Sequence, residues 1–325
     1  VFANGLLQLA SYLSGSPAAF ETSNSGFGAF VRFVRDVQIN SIRGSSWDFS
    51  VMGRAVSRNN GLNAGLNYLD RMAEYIDPEN AALYTEAMER INGNKPVNYR
   101  IKEFNQHYWS SDYSQHSRSG YLFAVRNVSR RTVEAEVGNG ENLKANYFSY
   151  GATFISVNGN EYKNVMPLWD WSMIPGTTQA NTTSFPARTN WGANFGKTDF
   201  VGGLSNGRYG ISTLDQNHAS TLAKKSWFFF DQEIVCLGAG ITNSSGLNVR
   251  TTLNQAKMET QAYVVEAGQS SETMFSISSQ VRSNTNLHYL RQGNVAYFFP
   301  QQGDVKFTLR SQTGRWSDIN SSGST

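Results

Sequence analysis

The sequence predicts an α+β chain in two parts, helices over residues 1–100 and a large antiparallel β-sandwich over 101–325. Two observations carry this. In the first part apolar residues recur at helical spacing: Leu62, Leu66, Leu69, Met72 and Ile76 step by four, three, three and four, one face of a helix. From about Ile101 short β-branched and aromatic runs alternate with Gly, Asn and Ser turns, and helical periodicity is scarce.

Residues 6–13 and 27–37 read as short amphipathic helices. The row from Leu62 to Ile76 reads as a third, stopped at Asp77-Pro78 because a residue before proline is pushed out of the α region. Residues 81–91 read as a fourth, closed by Asn92-Gly93-Asn94-Lys95-Pro96. Four helices could form a small bundle, yet several of their faces are apolar enough to want more neighbours. Strands are expected at 121–125, 153–157, 262–265 and 296–299, with Asn158-Gly159 as a hairpin turn. Lys224-Lys225 reads as the solvated start of a strand running into Trp227-Phe228-Phe229-Phe230. The polar tail from Asn320 to Thr325 is expected to fray.

Composition narrows the function classes. Hydrophobic residues make up 39% and charged residues only 16%, so the surface leans on Asn, Ser, Thr, Gly and Gln, as in secreted β-rich proteins. Aromatics at 13% suit a β core and also the stacking platforms that sugar rings need. A net charge of +3 is too small to argue for nucleic acid; it is compatible with a polyanionic glycan if the positive charge is concentrated in a cleft. The single cysteine, Cys236, lies in an apolar run and is expected to be a buried, inert thiol. No apolar stretch reaches membrane-spanning length. The chain opens at Val1 without an initiator methionine, so the absence of a leader is expected to belong to the sequence rather than to the protein.

The segment Ser46-Trp47-Asp48-Phe49-Ser50-Val51-Met52-Gly53-Arg54-Ala55-Val56-Ser57-Arg58 sets two arginines four residues apart at the expected entrance of a helix. Four residues is about one helical turn, so Arg54 and Arg58 can project from one side. Two guanidiniums there form a clamp for a carboxylate or sulfate, because arginine stays charged and forks onto planar anions. The plainer reading is an exposed turn with two solvated arginines.

That run, followed by Glu136-Val137-Gly138-Asn139-Gly140-Glu141-Asn142, resembles the polysaccharide lyases that cleave chondroitin, hyaluronan and xanthan. Further matches follow in order: Met166-Pro167-Leu168-Trp169-Asp170-Trp171, Ile174-Pro175-Gly176-Thr177-Thr178, Asp199-Phe200-Val201-Gly202-Gly203, and Ala223-Lys224-Lys225-Ser226-Trp227-Phe228-Phe229-Phe230-Asp231. The likeness is strongest to the chondroitin AC lyases and covers essentially the whole chain. It implies that residues 1–100 are the last helices of an (α/α) toroid and residues 101–325 most of a β-supersandwich domain, with a substrate cleft between them. The chain would then be a fragment. The resemblance implies β-elimination on a uronic acid, with a Tyr, a His and an Asn upstream of Val1 and little activity in the chain alone. It assigns Arg54 a place beside the tyrosine, Glu136 the orienting of the histidine and of Arg54, Arg58 and Asn139 substrate contacts, and Trp191 a sugar platform. The expected partner is an acidic polysaccharide, with no organic cofactor, no nucleic acid and no membrane, acting as a secreted or periplasmic monomer.

Some relatives bind calcium with acidic residues in and after the Trp-x-Trp segment. Here only Asp170 is acidic, with Ser172, Asn181 and Thr182 at the other matching places, so no metal is expected and Asp170 is given a local hydrogen bond. His107, Asp112 and His116 fit no zinc spacing and are read as a hydrogen-bonded structural segment at the domain junction. His218 and His288 carry no signal. A second function class stays open: a β-sandwich that holds polyanionic glycan without cleaving it.

Overall fold

The computed structural model describes residues 2–188, 190–191, 194–259, 261–278 and 281–323. The helical part begins with α1 (Phe2–Leu13) and α2 (Ser25–Arg32). Asn24 caps α2, its side chain accepting from the Gly26 and Phe27 amides that the first turn leaves unpaired. The helix runs on through a π segment, Phe33–Gln38, and a 3₁₀ turn, Ile39–Ser41. A tight hairpin follows, β1 (Ile42–Arg43) against β2 (Ser46–Trp47). Then come α3 (Leu69–Arg71), its π continuation Met72–Ile76, and α4 (Ala81–Ile91). Leu7, Val34, Leu69, Met72 and Tyr84 form the centre of this core.

The predicted apolar row is buried from Leu62 to Ile76, yet it is helical only from Leu69. The backbone of Leu62 and Ala64 is engaged elsewhere: Leu62 O accepts from Trp47 N at 2.9 Å, and Ala64 N donates to Ser45 O at 2.9 Å. The row's first turn is thus recruited by the hairpin, and burial rather than helix explains its spacing.

From Phe104 onward the described residues build antiparallel sheets joined by loops and short 3₁₀ turns, as the alternation predicted. The first sheet runs β3 (Phe104–Tyr108), β4 (Tyr113–Arg118), β5 (Tyr121–Arg126), β6 (Ala152–Ser156) in sequence order. After the short β7 (Thr178–Ala180) a second sheet is built from β8 (Val201–Ser205), β9 (Gly210–His218), β10 (Thr221–Phe229) and β11 (Ile234–Asn243), again neighbour to neighbour. Phe123 and Val125 of β5 pack against Leu214, Trp227 and Phe229 of this sheet. β7 pairs with β12 (Val249–Thr251). A third sheet orders β14 (Thr273–Phe275), β13 (Ala262–Glu266), β16 (Leu287–Gln292) and β17 (Val295–Phe298), while β15 (Arg282–Asn284) pairs with β18 (Val305–Phe307).

Four local expectations are corrected. Asn158-Gly159 is no hairpin: among the described residues β6 pairs with β5 alone, and Glu161 gathers the turn, accepting from the Val157, Asn158 and Gly159 amides at 2.7–2.9 Å. Gly159 is needed for approach instead, since a Cβ there would lie 2.2 Å from Arg43 O of the β1–β2 hairpin. Cys236 is exposed, because β11 is the edge of its sheet and shows both faces. Lys225 is buried: alternation along β10 turns it inward between Ala223 and Trp227, where Nζ donates to Gly176 O and lies 5.0 Å from the Trp227 ring. Burial lowers its pKa to about 7. The tail does not fray at Asn320, which is 1% exposed and bonded to the arginine turn described below.

Candidate functional site: an arginine turn against a glutamate loop

The Trp-Asp-Phe run is the anchor of the arginine segment. Asp48 is fully buried and caps the turn that follows, accepting from Ser50 N and Ser50 Oγ, both at 2.8 Å. Its other oxygen accepts from Tyr113 OH at 2.6 Å, which ties the helical part to β4. Burial raises the Asp48 pKa, opposed by these hydrogen bonds. Phe49 drives into the sandwich core, edge-on to Phe148, Phe154, Tyr162 and Trp169 at 4.9–5.7 Å. Two pins, one polar and one aromatic, therefore fix the chain just before the arginines.

The arginines lie on a 3₁₀ turn, Gly53–Ser57, with Arg58 extended at its end, rather than on an α-helix. Gly53 takes φ +54, and a Cβ there would stand 3.4 Å from Glu136 Oε2. The turn still brings both guanidiniums to one carboxylate, Glu141. Arg58 grips it with two bonds, Nε to Oε1 at 2.5 Å and Nη2 to Oε2 at 2.9 Å. Arg54 Nε reaches Oε2 at 2.7 Å. The Glu141 side chain is 4% exposed, while Glu136 is half exposed and stands 3.9 Å from Arg54 Nη1. The bonds to Glu141, the largest influence, raise the Arg58 pKa above its ordinary value.

The sequence reading gave Arg54 its carboxylate in Glu136. The geometry gives the tighter contact to Glu141, a residue quoted within the motif but assigned no role. The overlooked signal was the pair of arginines itself: two adjacent cations need a shared buried anion, and Glu141 is the second acid of the same loop. Glu136 remains within ion-pair reach. Arg54 Nη1 is buried and has no hydrogen-bond partner among the described residues.

The loop carrying the glutamates coils tightly. Asn139, Gly140 and Asn142 take φ of +54, +75 and +60, a conformation that Asn and Gly tolerate best. Asn142 Nδ2 donates to Glu136 O at 2.8 Å, and its backbone N donates to Ser57 Oγ at 2.9 Å. Asn320 closes the ring: its Nδ2 donates to Ser57 O at 3.2 Å, residue 320 bridges residue 141, and Ser321 N donates to Gly140 O at 2.7 Å. Three segments far apart in sequence meet at Ser57.

Trp191 completes the cluster, with Arg54 Cζ 4.5 Å from the centre of its ring. Its backbone N donates to Val137 O at 2.8 Å, and a Cβ on Gly138 would come within 2.8 Å of the indole. The residue is 55% exposed, so part of it faces solvent. Asn139 is also exposed beside it in the loop. Arg54, Arg58, Glu136 and Trp191 thus come together directly, and Asn139 sits on the same turn.

The other candidates are structural. Asp170 accepts from Ser172 N at 2.9 Å and Ser172 Oγ at 2.7 Å, the local bond expected of it. Asp112 is fully buried and accepts from Ser129, Thr132 and Arg131 at 2.5–2.9 Å. His107 Nδ1 pairs with Ser114 Oγ, and His116 Nε2 with Phe230 O at 2.7 Å. Burial lowers the His116 pKa to about 4. His218 carries more than was read from the sequence: it stacks on Tyr150 at 3.9 Å, with Glu134 3.7 Å away. Tyr150 OH and Arg188 both bond Glu134. Glu134 N donates to Asn194 O at 2.8 Å, so this network braces the bridged segments that lead to Glu136 and Trp191. Among the described residues no group of three or more His, Cys, Asp or Glu could hold a metal. No described helix is long and apolar enough to cross a membrane.

Comparison with known proteins agrees with this architecture. Chondroitinase-AC of Pedobacter heparinus is 38% identical over 326 aligned positions, covering 99% of this chain and 45% of the relative. Hyaluronate lyase of Thermasporomyces composti is 32% identical over 238 positions, 70% of this chain and 29% of the relative. A solved structure of chondroitinase AC lyase in oligosaccharide complexes superposes with a TM-score of 0.91 at 37% identity, covering 99% of this chain and 47% of that one. A Paenibacillus xanthan lyase structure, at 24% identity and TM-score 0.78, shares the fold over 99% of this chain and 34% of its own. The chain therefore spans about half the length of the first of these relatives, or less. Residues 103–325 match the super-sandwich domain of polysaccharide lyase family 8, and the chain belongs to that family.

Proposed function

We propose that this chain is part of a polysaccharide lyase acting on uronic-acid-containing glycans of the chondroitin and hyaluronan type, and that its arginine turn and glutamate loop form one wall of the substrate cleft. The single observation that carries the reading is Arg54. Its guanidinium is fixed by Glu141 and Trp191, yet its buried Nη1 lacks a hydrogen-bond partner among the described residues. A buried donor left open is costly, and an incoming acceptor offsets that cost.

In β-elimination the C5–H bond breaks and its proton passes to a base. The electron pair forms the C4=C5 double bond, the C4–O bond breaks, and the departing oxygen takes a proton from an acid. Charge builds on the uronate carboxylate, so fixed cations nearby lower the barrier. On the family likeness, a tyrosine, a histidine and an asparagine supplied by an upstream segment would perform proton transfer and carboxylate binding. Arg54 would sit beside the tyrosine and favour its phenolate, since a neighbouring cation lowers a phenol pKa. Glu136, half exposed at 3.9 Å from Arg54 Nη1, would orient the histidine and Arg54. Arg58 and Asn139 would contact substrate and Trp191 would offer its exposed ring surface to a sugar. The protein would work outside the cytoplasm as a monomer.

The test is the ultraviolet absorbance of unsaturated uronate released from chondroitin by a longer form that includes the preceding residues. Turnover that falls by about 10²-fold or more in Arg54→Ala supports the reading. A longer form that binds chondroitin with salt-sensitive affinity and releases no unsaturated product favours the non-catalytic glycan-binding module instead.

A further inference from the structure

Between α4, the π segment and 3₁₀ turn that follow α2, β1 and the first sheet lies a narrow cavity of about 50 Å³. That is room for a few waters or one small oxyanion, and not for a sugar ring. Five cations line it, Arg35, Arg43, Arg90, Arg100 and Lys102, against two carboxylates, Asp36 and Glu86. Both carboxylates are already engaged: Asp36 with Arg35 at 3.1 Å and Glu86 with Arg100 at 2.7 Å. Arg43, Arg90 and Lys102 are in excess.

Arg43 is the unusual member. It is 2% exposed, and its guanidinium donates to main-chain carbonyls, Val157 O and Ser119 O at 2.8 Å and Arg118 O at 3.5 Å. Carbonyl dipoles satisfy its hydrogens but do not cancel its charge. Glu161 attracts it from a distance, and Arg90 repels it. Arg90 in turn donates to Tyr99 O at 2.8 Å. Burial pulls the pKa of both below the usual arginine value, that of Arg43 to about 10. Two like charges facing one cavity, Arg43 buried and Arg90 partly buried, are a poor arrangement for an empty site and a good one for an anion.

We propose that this seam is an oxyanion-binding site, distinct from the Arg54 cleft, that takes a sulfate or phosphate group between Arg90, Lys102 and the Arg43 guanidinium. The group could arrive as a free inorganic ion or as the sulfate half-ester of a glycan; their shared chemistry is a compact tetrahedral anion. Bound there, it would join α4 to the first sheet and stabilise the contact between the two parts of the chain.

The experiment is a melting series in millimolar sodium sulfate at constant ionic strength, balanced with chloride, and a parallel series with a sulfated disaccharide. At ten times the dissociation constant the melting temperature should stand about 2 °C higher, and about 2 °C higher again for each further tenfold of ligand. Arg90→Met should abolish the sulfate-dependent rise, and Lys102→Gln should move it to several-fold higher sulfate; Arg54→Ala should retain the response to inorganic sulfate in full. A response to sulfate alone, or to both ligands with each response lost in Arg90→Met, supports the site and tells its source. A rise linear rather than logarithmic in sulfate concentration, an equal rise in Arg90→Met, or a sulfate rise lost in Arg54→Ala would overturn it. Because Arg54 is the control, failure here leaves the proposed lyase role untouched, and failure of that role leaves this site standing.

Discussion

Arg58 and Glu141 are joined by a bidentate pair, Nε to Oε1 at 2.5 Å and Nη2 to Oε2 at 2.9 Å, across 83 residues of sequence. Arg54 shares the same carboxylate, so one buried anion sets the position of two cations. Glu141→Gln keeps the shape and removes the charge. It should lower stability by about 1–3 kcal/mol, read from urea unfolding, because charge-assisted bonds become neutral ones and both arginines are left without their main counter-charge. An unchanged unfolding midpoint would show that the pair is merely a surface contact.

Asn320 joins the arginine turn to the glutamate loop through Ser57 O, 263 residues away. Asn320→Ala should cost about 1–2 kcal/mol and weaken glycan binding, while Asn320→Asp should not restore either, since the lost group is a donor. Equal glycan affinity in the alanine variant would confine the residue to a role in stability.

Gly138 lies under the Trp191 indole, within 2.8 Å of where a Cβ would stand. Gly138→Ala should push the ring off Arg54 and shift tryptophan emission, with reduced glycan affinity and little loss of overall helix and strand content. Emission identical to the parent would mean the ring accommodates the methyl without moving.

Stability should fall as pH drops from 6.5 towards 4. His116 and His218 have pKa values lowered to about 4, chiefly by burial, against 6.5 when unfolded. In that window the unfolded chain binds more protons, so stability rises with pH across it. Replacing both, as His116→Asn with His218→Gln, should flatten the profile there. Lys225 acts alike at higher pH: with a folded pKa of about 7 against 10.5, its contribution rises from pH 7 towards 10.5, and Lys225→Met should remove that slope. A slope unchanged in Lys225→Met would assign it to other groups.

The fold was largely legible because periodicity reports burial. Residues 81–91 match α4, and the expected strands at 121–125, 153–157, 262–265 and 296–299 all fall on β5, β6, β13 and β17. Leu62 shows the limit: its apolar spacing predicted burial correctly, but hydrogen bonds from Leu62 and Ala64 to the hairpin overrode the helix. Cys236 was misread because hydrophobicity does not reveal that a strand is an edge. In the site, Arg54, Arg58 and Glu136 were found from the motif, and the pairing with Glu141 was not, since bonds across 83 residues leave no periodic trace. The same holds for Asn320, which reads as tail and is buried.

The most direct measurement of the central claim is calorimetric titration of an unsulfated chondroitin oligosaccharide into this chain and into Arg54→Ala, at low and high salt. The account predicts salt-sensitive binding that weakens by at least about tenfold in the variant. Equal affinity for the two proteins would contradict it, because the arginine turn would then lie outside the surface that meets the glycan.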